Sequence, residues 1–311
     1  MRKEELVCEV TETLDEADFE VSRVLPSGAF CLDIAAKRDL ILMLKILVNV
    51  DSMDAVQAEH LKRLCHLVSA YPLLVGDQTR TEKIEDDVVH ERYDLPTINI
   101  RTLRTLLQTA ALPLIYGTKG GYYVNIDGDA LRAERLRRGL SLRQLCELVG
   151  VTRESIYNYE RGGSASVETA MALVDSLGVD LVRPVQILRP VEMELQPDKY
   201  FETALLRHVV ARLHSFGFGV YRTTRTPFHA MARESQDQLL TSVFQRFQNL
   251  RRNAGVISRI SHVIDITAFM VSHEKEDLDR IQGVAIIAED ELEEIEKRSD
   301  LSGIIREKRE S

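Results

Sequence analysis

The sequence lacks the features that mark disulfide scaffolds, zinc sites and membrane spans. Its four cysteines (Cys8, Cys31, Cys65 and Cys146) lie far apart without a C-x-x-C pair, so we interpret them as buried or free thiols in a reducing compartment. The longest apolar run, LILMLKILVNV, is broken by Lys45 and is too short to span a bilayer. The start, MRKEELVCEV, has no apolar signal core. We therefore expect a cytoplasmic protein that does not enter a membrane.

Common catalytic and cofactor-binding motifs are also missing. The chain has no G-x-x-x-x-G-K-[ST], no G-x-G-x-x-G after a predicted strand, no H-E-x-x-H and no G-x-S-x-G. Its eight histidines are scattered, and His66 and His262 fall on amphipathic helices, where surface or packing roles are the more common ones. We therefore expect no catalytic residue, no metal and no cofactor, and we do not expect an enzyme.

The length and composition indicate a multidomain globular protein. The chain has 311 residues, of which 44% are hydrophobic and 29% are charged, and this length favours two or three domains. Its net charge of −9 argues against attraction of the whole surface to nucleic acid or to an anionic membrane. A local basic patch remains compatible with that charge.

Patterns of hydrophobic residues divide the chain into four segments. Residues 1–110 predict an α/β domain: a strand meander over 19–48, a helix at AEHLKRLCHLVSAY, strands at PLLVGD and LPTINI, and a helix at RTLRTLL. Residues 111–126 predict a linker hairpin around Gly117–Gly121. Residues 127–192 have an entirely helical pattern, and residues 193–311 predict a second α/β domain.

The two α/β segments resemble each other. FEVSR at 19–23 matches FGVYR at 218–222, and LCHLVSAYPLLVGD at 64–77 runs alongside ISHVIDITAFMVSH at 260–273. LPTINIRTL at 95–103 parallels VAIIAEDEL at 284–292. Since the order and spacing agree, we predict an internal duplication interrupted by the helical segment. The alternative is two unrelated α/β units that share generic strand patterns.

The helical segment contains SLRQLCELVGVTRESIYNYERGG, in which two short helical patterns meet at Gly150. Ser141 with Gln144 fits a capping box, and Thr152 can cap the second helix. Glycine at position 150 allows the left-handed conformation that ends a helix. Cys146, small and apolar, lies where two helices would cross. These signals together predict a helix-turn-helix.

Residues 131–189 resemble the Cro-like phage-repressor (XRE) class of helix-turn-helix domain. LRAERLRRGLSLRQLCELVGVTRESIYNYERG follows that pattern nearly end to end, and SVETAMALVDSLGVDL supplies two closing helices. The resemblance implies a five-helix domain that binds double-stranded DNA. One departure is Leu142, because the family often has glutamine at the start of the first motif helix.

The resemblance also assigns roles to single residues. Arg135 and Glu160 lie where the family commonly forms a partly buried ion pair between its first helix and the end of its recognition helix. We also expect Arg137 and Arg138 to lie near the DNA backbone. The candidate DNA-binding residues are Arg143, Gln144, Thr152, Arg153, Glu154, Tyr157, Asn158 and Arg161.

Charge supports this interpretation locally. Ala130–Arg161 contains seven arginines and four glutamates, so this stretch is basic in an otherwise acidic chain. Every cation in it is arginine, which can bind phosphate or guanine through two parallel hydrogen bonds.

FCLDIAAKRDLILMLKIL resembles the core of the restriction-endonuclease-like nucleases. In that core an aspartate and a Glu-x-Lys motif hold a divalent metal and activate water. Asp33 and Lys45 match, but Met43 occupies the glutamate position, and a thioether cannot replace a carboxylate toward magnesium. FHAMARESQDQLLTSVF in the second segment has neither the aspartate nor the lysine. We interpret both segments as degenerate nuclease-like folds with structural or partner-binding roles.

Taken whole, the chain resembles a family of archaeal HTH-type transcriptional regulators, to which RYDLPTINIRTL and ARLHSFGFGVYRTTRTPF also point. The expected fold class is multidomain α/β plus all-α, with duplicated restriction-endonuclease-like α/β domains flanking a five-helix Cro-like helix-turn-helix domain. The expected function is sequence-specific transcription regulation by a homodimer on a pseudo-palindromic operator, because one recognition helix reads only a few base pairs. The alternatives are a metal-dependent DNA nuclease targeted by the helix-turn-helix, and an antitoxin-like module that binds an unknown protein partner.

Overall fold

The computed structural model describes residues 2–24, 30–235, 237–274 and 278–310. The chain folds into two compact units: Met1–Thr13, Leu47–Ser52 and Leu73–Arg189 form the first, and Leu14–Ile46, Met53–Pro72 and Pro190–Ser311 form the second. Within the described residues no helix is both long and apolar enough to cross a membrane. All four cysteines are free, and burial raises the pKa of Cys31 to about 12.

The N-terminal segment alternates strands and helices as predicted. Its elements are α1 (Lys3–Asp15), β1 (Glu20–Arg23), β2 (Ile34–Lys37), β3 (Ile41–Asn49), a short 3-10 helix (Val50–Ser52), α2 (Ala55–Leu67), β4 (Tyr71–Gln78), β5 (Val88–Arg92), β6 (Leu95–Ile98) and α3 (Ile100–Thr109). Strand β5 was absent from the sequence prediction. It forms an antiparallel hairpin with β6 through Tyr93 and Asp94, whose φ angles are 50° and 61°.

The middle segment is not entirely helical. Its elements are β7 (Ile115–Thr118), β8 (Gly121–Ile126), α4 (Gly128–Arg137), α5 (Leu142–Val149), α6 (Arg153–Tyr159), β9 (Ser164–Ser166), α7 (Val167–Leu177) and β10 (Val182–Arg183). Residues 127–192, all of them described, contain four helices and not the five expected. The reason is that α7 ends at Gly178, with a left-handed φ of 58°, and the closing residues then pair with β8.

The predicted hairpin at 111–126 also belongs to this core. Strand β8 pairs antiparallel with β7, β9 and β10. Its residues Val124 and Ile126 pack in one hydrophobic cluster with Leu145, Ile156 and Leu173 of the helices. The hairpin therefore contributes to the helical domain and does more than connect two domains.

The C-terminal segment has the second mixed arrangement. Its elements are α8 (Ala204–Ser215), β11 (Gly219–Arg222), β12 (Ala230–Glu234), β13 (Asp237–Phe244), α9 (Phe247–Ile264), β14 (Thr267–Ser272), β15 (Arg280–Ile281), β16 (Val284–Ala288), α10 (Glu289–Glu294) and α11 (Arg298–Glu310). The sheet order is β11-β12-β13-β14-β16-β15. Strands β13, β14 and β16 are parallel, and Val209, Phe269 and Ile287 lie in the core beside them.

The N-terminal strands repeat this order as β1-β2-β3-β4-β6-β5. The turns repeat as well. Ser69 before β4 and Asp265 before β14 both have left-handed φ angles, 53° and 58°. Gln282 and Gly283, before β16, have φ angles of 51° and 79°, like the pair before β6. The two α/β segments thus share strand order and turn conformations.

Candidate nucleic-acid interface

Helices α5 and α6 are set by local hydrogen bonds that the sequence predicts. The backbone N–H of Ser141 donates to Gln144 Oε1 at 2.9 Å, and the N–H of Gln144 donates to Ser141 Oγ at 3.2 Å, which completes the capping box. Gly150 ends α5 at a φ of 77°, a conformation that a side chain disfavours. The Oγ1 of Thr152 accepts the N–H of Ser155 at 3.1 Å and begins α6.

The inner face of this motif is apolar and close-packed. Leu145 and Ile156 are fully buried, Cys146 is nearly so, and Tyr159 is half-buried against the same cluster. Gly128 allows α4 to approach the end of α6, since a Cβ there would lie 2.6 Å from the carbonyl of Glu160. The orientation of α6 is therefore fixed by packing on one side.

An ion pair also holds the end of α6 against α4. Arg135 donates to Glu160 through two hydrogen bonds, Nε to Oε1 at 2.5 Å and Nη2 to Oε2 at 3.1 Å. The two side chains are only 10% and 9% exposed. A third hydrogen bond runs from Arg135 Nη1 to the carbonyl of Leu140 at 2.9 Å. In this geometry both residues are part of the scaffold.

The opposite face of α6 is polar and exposed. Arg153, Glu154, Tyr157 and Asn158 are all exposed, as is Thr152 at its start. Within the described chain, the side chains of Arg153, Glu154 and Asn158 form no hydrogen bond or ion pair. Their donors and acceptors are thus available to base edges in a major groove.

Three further predicted DNA contacts already have intramolecular partners. Arg161 donates to the hydroxyl of Tyr157 at 3.2 Å, with its guanidinium 5.5 Å from the ring centroid. Arg143 pairs with Glu147 at 2.8 Å, although both side chains are well exposed. The amide oxygen of Gln144 is used by the capping box. Exposed ion pairs of this kind are worth little and exchange readily for other partners.

Arg137 and Arg138, expected near the DNA backbone, both bind Glu134. Their Nε atoms each lie 2.7 Å from a carboxylate oxygen of Glu134, and hydrogen bonds from Arg137 and then Arg138 lower the pKa of Glu134 to about 2. Arg138 also donates to the carbonyls of Ser176 and Leu177 at the end of α7. The guanidinium of Arg138 therefore also joins α4 to the end of α7, a structural role that the sequence did not predict.

The nuclease-like residues lie in the second unit and are buried. Lys45 Nζ lies 3.3 Å from Asp33 Oδ2 and donates to the carbonyl of Phe30 at 2.7 Å. Asp33 also accepts the N–H of Ile46 at 2.8 Å, and Met43 is fully buried. No group of three His, Cys, Asp or Glu side chains in the described part of the chain is arranged to hold a metal ion.

The register of β12 and β13 shows which residues of the C-terminal segment have the same backbone pairing as the nuclease-like residues. His229 stands where Asp33 stands: its N–H donates to Thr241 as that of Asp33 donates to Leu44. The Nδ1 of His229 accepts the N–H of Val243 at 2.9 Å, as Asp33 accepts that of Ile46. By this register Leu240 and Ser242 replace Met43 and Lys45. An imidazole, an alkyl group and a hydroxyl do not form the acidic site of such nucleases.

The two histidines singled out in the sequence have separate surroundings. His66 Nδ1 lies 2.9 Å from the carbonyl of Val191, and the exposed His262 lies 3.1 Å from Glu20. His208 and His273, which no sequence pattern singled out, both contact Glu289. These three positions are distant in sequence and belong to no motif, so no local signal could have joined them.

Comparisons with known proteins agree with this architecture. The family model of the PD-(D/E)XK superfamily domain matches residues 3–113, and the helix-turn-helix model matches residues 131–183. Both matches confirm the resemblances on which the sequence analysis rested. No solved structure matches the chain.

Archaeal proteins named "Putative HTH-type transcriptional regulatory protein" are similar over nearly the full length. One from Thermococcus gammatolerans is 33% identical over 309 residues, which cover 98% of this chain and 96% of the relative. One from Methanococcoides burtonii is 31% identical, covering 99% and 98%. One from Archaeoglobus fulgidus is 29% identical, covering 97% of each.

Proposed function

Since this chain belongs to the family of archaeal HTH-type transcriptional regulatory proteins that these relatives represent, we propose that it regulates transcription by binding duplex DNA sequence-specifically through α6. The observation that carries the proposal is the exposed polar face of α6, where Arg153, Glu154 and Asn158 have no described partner. The caps at Ser141 and Thr152 stabilise the starts of α5 and α6, so both helices are formed before DNA binds. A rigid reading helix loses less entropy on binding than a mobile one.

The proposal includes a homodimer. One α6 contacts only a few base pairs, and specific recognition in a genome requires more. Two copies would place their recognition helices in successive major grooves, about 34 Å apart, on a pseudo-palindromic site. Selection of bound sequences from random DNA tests this directly. Two related half-sites at that spacing are the expected result, and a selected pool without half-sites would contradict it.

Alanine variants distinguish sequence-specific recognition of DNA from nonspecific electrostatic binding. Arg153→Ala and Asn158→Ala should each cost roughly 1–3 kcal/mol at the selected site and relax the preference at one base position. Arg251→Ala, an exposed arginine on α9, is the matched control and should leave binding unchanged. Equal losses on selected and random DNA would show that α6 does not read sequence. If neither variant affects DNA binding, a protein partner in the manner of an antitoxin becomes the better interpretation.

The two α/β segments are proposed to be copies of one nuclease-like domain without catalysis, at about residues 1–110 and 193–311. Their common strand order and the shared hydrogen bonding of Asp33 and His229 support the duplication. Burial of Asp33, Met43 and Lys45 argues against access by a DNA phosphate. Incubating the protein with plasmid and magnesium or manganese tests this. Cleavage lost in Lys45→Ala would establish the nuclease alternative instead.

A further inference from the structure

The second unit contains a cleft that the proposed DNA contacts do not use. It has a volume of about 600 Å³, within the range of small-molecule sites. Gln245 and Arg246 line it just after β13, His273 and Glu274 just after β14, and Glu289 just after β16. The cleft therefore lies at the carboxyl ends of three parallel strands, the edge at which α/β sheets commonly bind ligands.

Two histidines hold one carboxylate in this cleft. Glu289 Oε2 lies 2.6 Å from His273 Nδ1, and its Oε1 lies 2.9 Å from His208 Nδ1 on α8. The hydrogen bond from His273 is the largest cause that lowers the pKa of Glu289, so this carboxylate is ionised at neutral pH. Three separate elements thus fix the position of one negative charge.

The other charged groups of the cleft are of both signs. Arg246 is exposed, and none of the described residues forms a hydrogen bond or ion pair with its guanidinium. The side chain of the neighbouring Gln245 likewise forms no hydrogen bond with any of the described residues. Glu274 is exposed and accepts the N–H of Phe247 at 3.0 Å. The cleft therefore presents an available cation together with two carboxylates.

This mixture of charges restricts the class of ligand. A metal ion does not fit, since the described residues offer no suitable group of three ligands. A simple anion would face Glu274 and Glu289, and a simple cation would face Arg246. A small molecule that carries both charges satisfies both sets of groups, because a guanidinium binds a carboxylate bidentately and carboxylates accept ammonium hydrogens.

We propose that this cleft binds a free α-amino acid, with its carboxylate on Arg246 and its ammonium group between Glu289 and Glu274. Two apolar residues at the start of α8 also line the cleft and offer contact to the ligand's side chain. This binding is independent of the proposed reading of DNA by α6, and either can hold without the other.

The test uses the full-length protein and each of the common amino acids in thermal-shift and calorimetric titrations. A ligand that binds only the folded state raises the melting temperature. We expect at least one amino acid to bind, and its decarboxylated amine and its deaminated 2-hydroxy acid to bind at least tenfold more weakly. The proposal is wrong if no amino acid binds, or if an analogue with a single charge binds equally well.

Variants locate the site. Arg246→Gln and Glu289→Gln should each weaken binding of that amino acid at least tenfold. Arg251→Gln, an exposed arginine of α9 that does not line the cleft, is the control and should bind normally. Because Arg246 has no described partner, its replacement leaves the fold intact, and a folded Arg246→Gln variant with normal affinity would overturn the assignment.

Discussion

Replacing Arg135 by alanine should lower the free energy of unfolding of the helix-turn-helix domain by about 3 kcal/mol. The change removes two hydrogen bonds to Glu160 and one to the carbonyl of Leu140. It leaves the Glu160 carboxylate, only 9% exposed, without its cation. Removing one partner of a buried pair costs roughly 3–5 kcal/mol. We expect the lower value of this range, because the Glu160 side chain is still partly exposed and water can solvate its carboxylate once Arg135 is removed.

Hydrogen exchange followed by mass spectrometry measures this locally in the full chain. A loss of about 3 kcal/mol corresponds to exchange roughly 100-fold faster for amides that open with the domain, such as those of α4 to α6. Arg137→Ala is the control: its side chain is 68% exposed, so its pairing with Glu134 should contribute little to stability and exchange should stay near that of the unaltered protein.

A double variant tests the cause. Arg135→Met with Glu160→Leu replaces both charges by apolar groups, so no carboxylate remains buried alone. Such replacements of buried pairs are often neutral or stabilising, and we expect exchange close to that of the unaltered protein. The reasoning fails if Arg135→Ala exchanges normally, or if the double variant is as unstable as the single one.

Three further predictions concern other parts of the chain. Arg138→Ala should lower the free energy of unfolding by about 1–2 kcal/mol without changing the salt dependence of DNA binding, whereas Arg137→Ala should reduce that slope by about one phosphate. Burial lowers the pKa of His229, so its contribution to stability is complete above the ordinary histidine pKa of about 6.5 and is lost as the pH falls below that value. In urea titrations from pH 7.5 to 5.5, the free energy of unfolding should fall more steeply for the unaltered protein than for His229→Gln. Parallel declines of the two proteins would contradict this. Met43→Glu restores the nuclease motif but buries a carboxylate. We therefore expect lower stability and no plasmid cleavage with magnesium or manganese. Metal-dependent cleavage would show that the site is accessible to DNA.

The sequence alone determined the features whose causes are local. The capping box at Ser141, the left-handed glycine at 150 and the cap at Thr152 each depend on residues within one or two helical turns. The apolar spacing of α5 and α6 likewise follows from the helical period. For that reason the helix-turn-helix and its exposed face could be predicted, as could most strands of the N-terminal α/β segment.

Only the tertiary structure decided the features that depend on distant partners. The hydrogen bonds of Arg138 to the carbonyls at the end of α7 join residues 38 and 39 positions apart. The closing residues of the helical segment form a strand because β8 offers them backbone partners. The shared hydrogen-bonding positions of His229 and Asp33 follow from the strand register, because the two residues are chemically unlike and no local motif marks them. His273 and Glu289 meet because the parallel strands β14 and β16 end at the same edge of the sheet, and α8 brings His208 to the same carboxylate. Strand pairing joins positions far apart in the chain, and no local pattern records which of them will become neighbours.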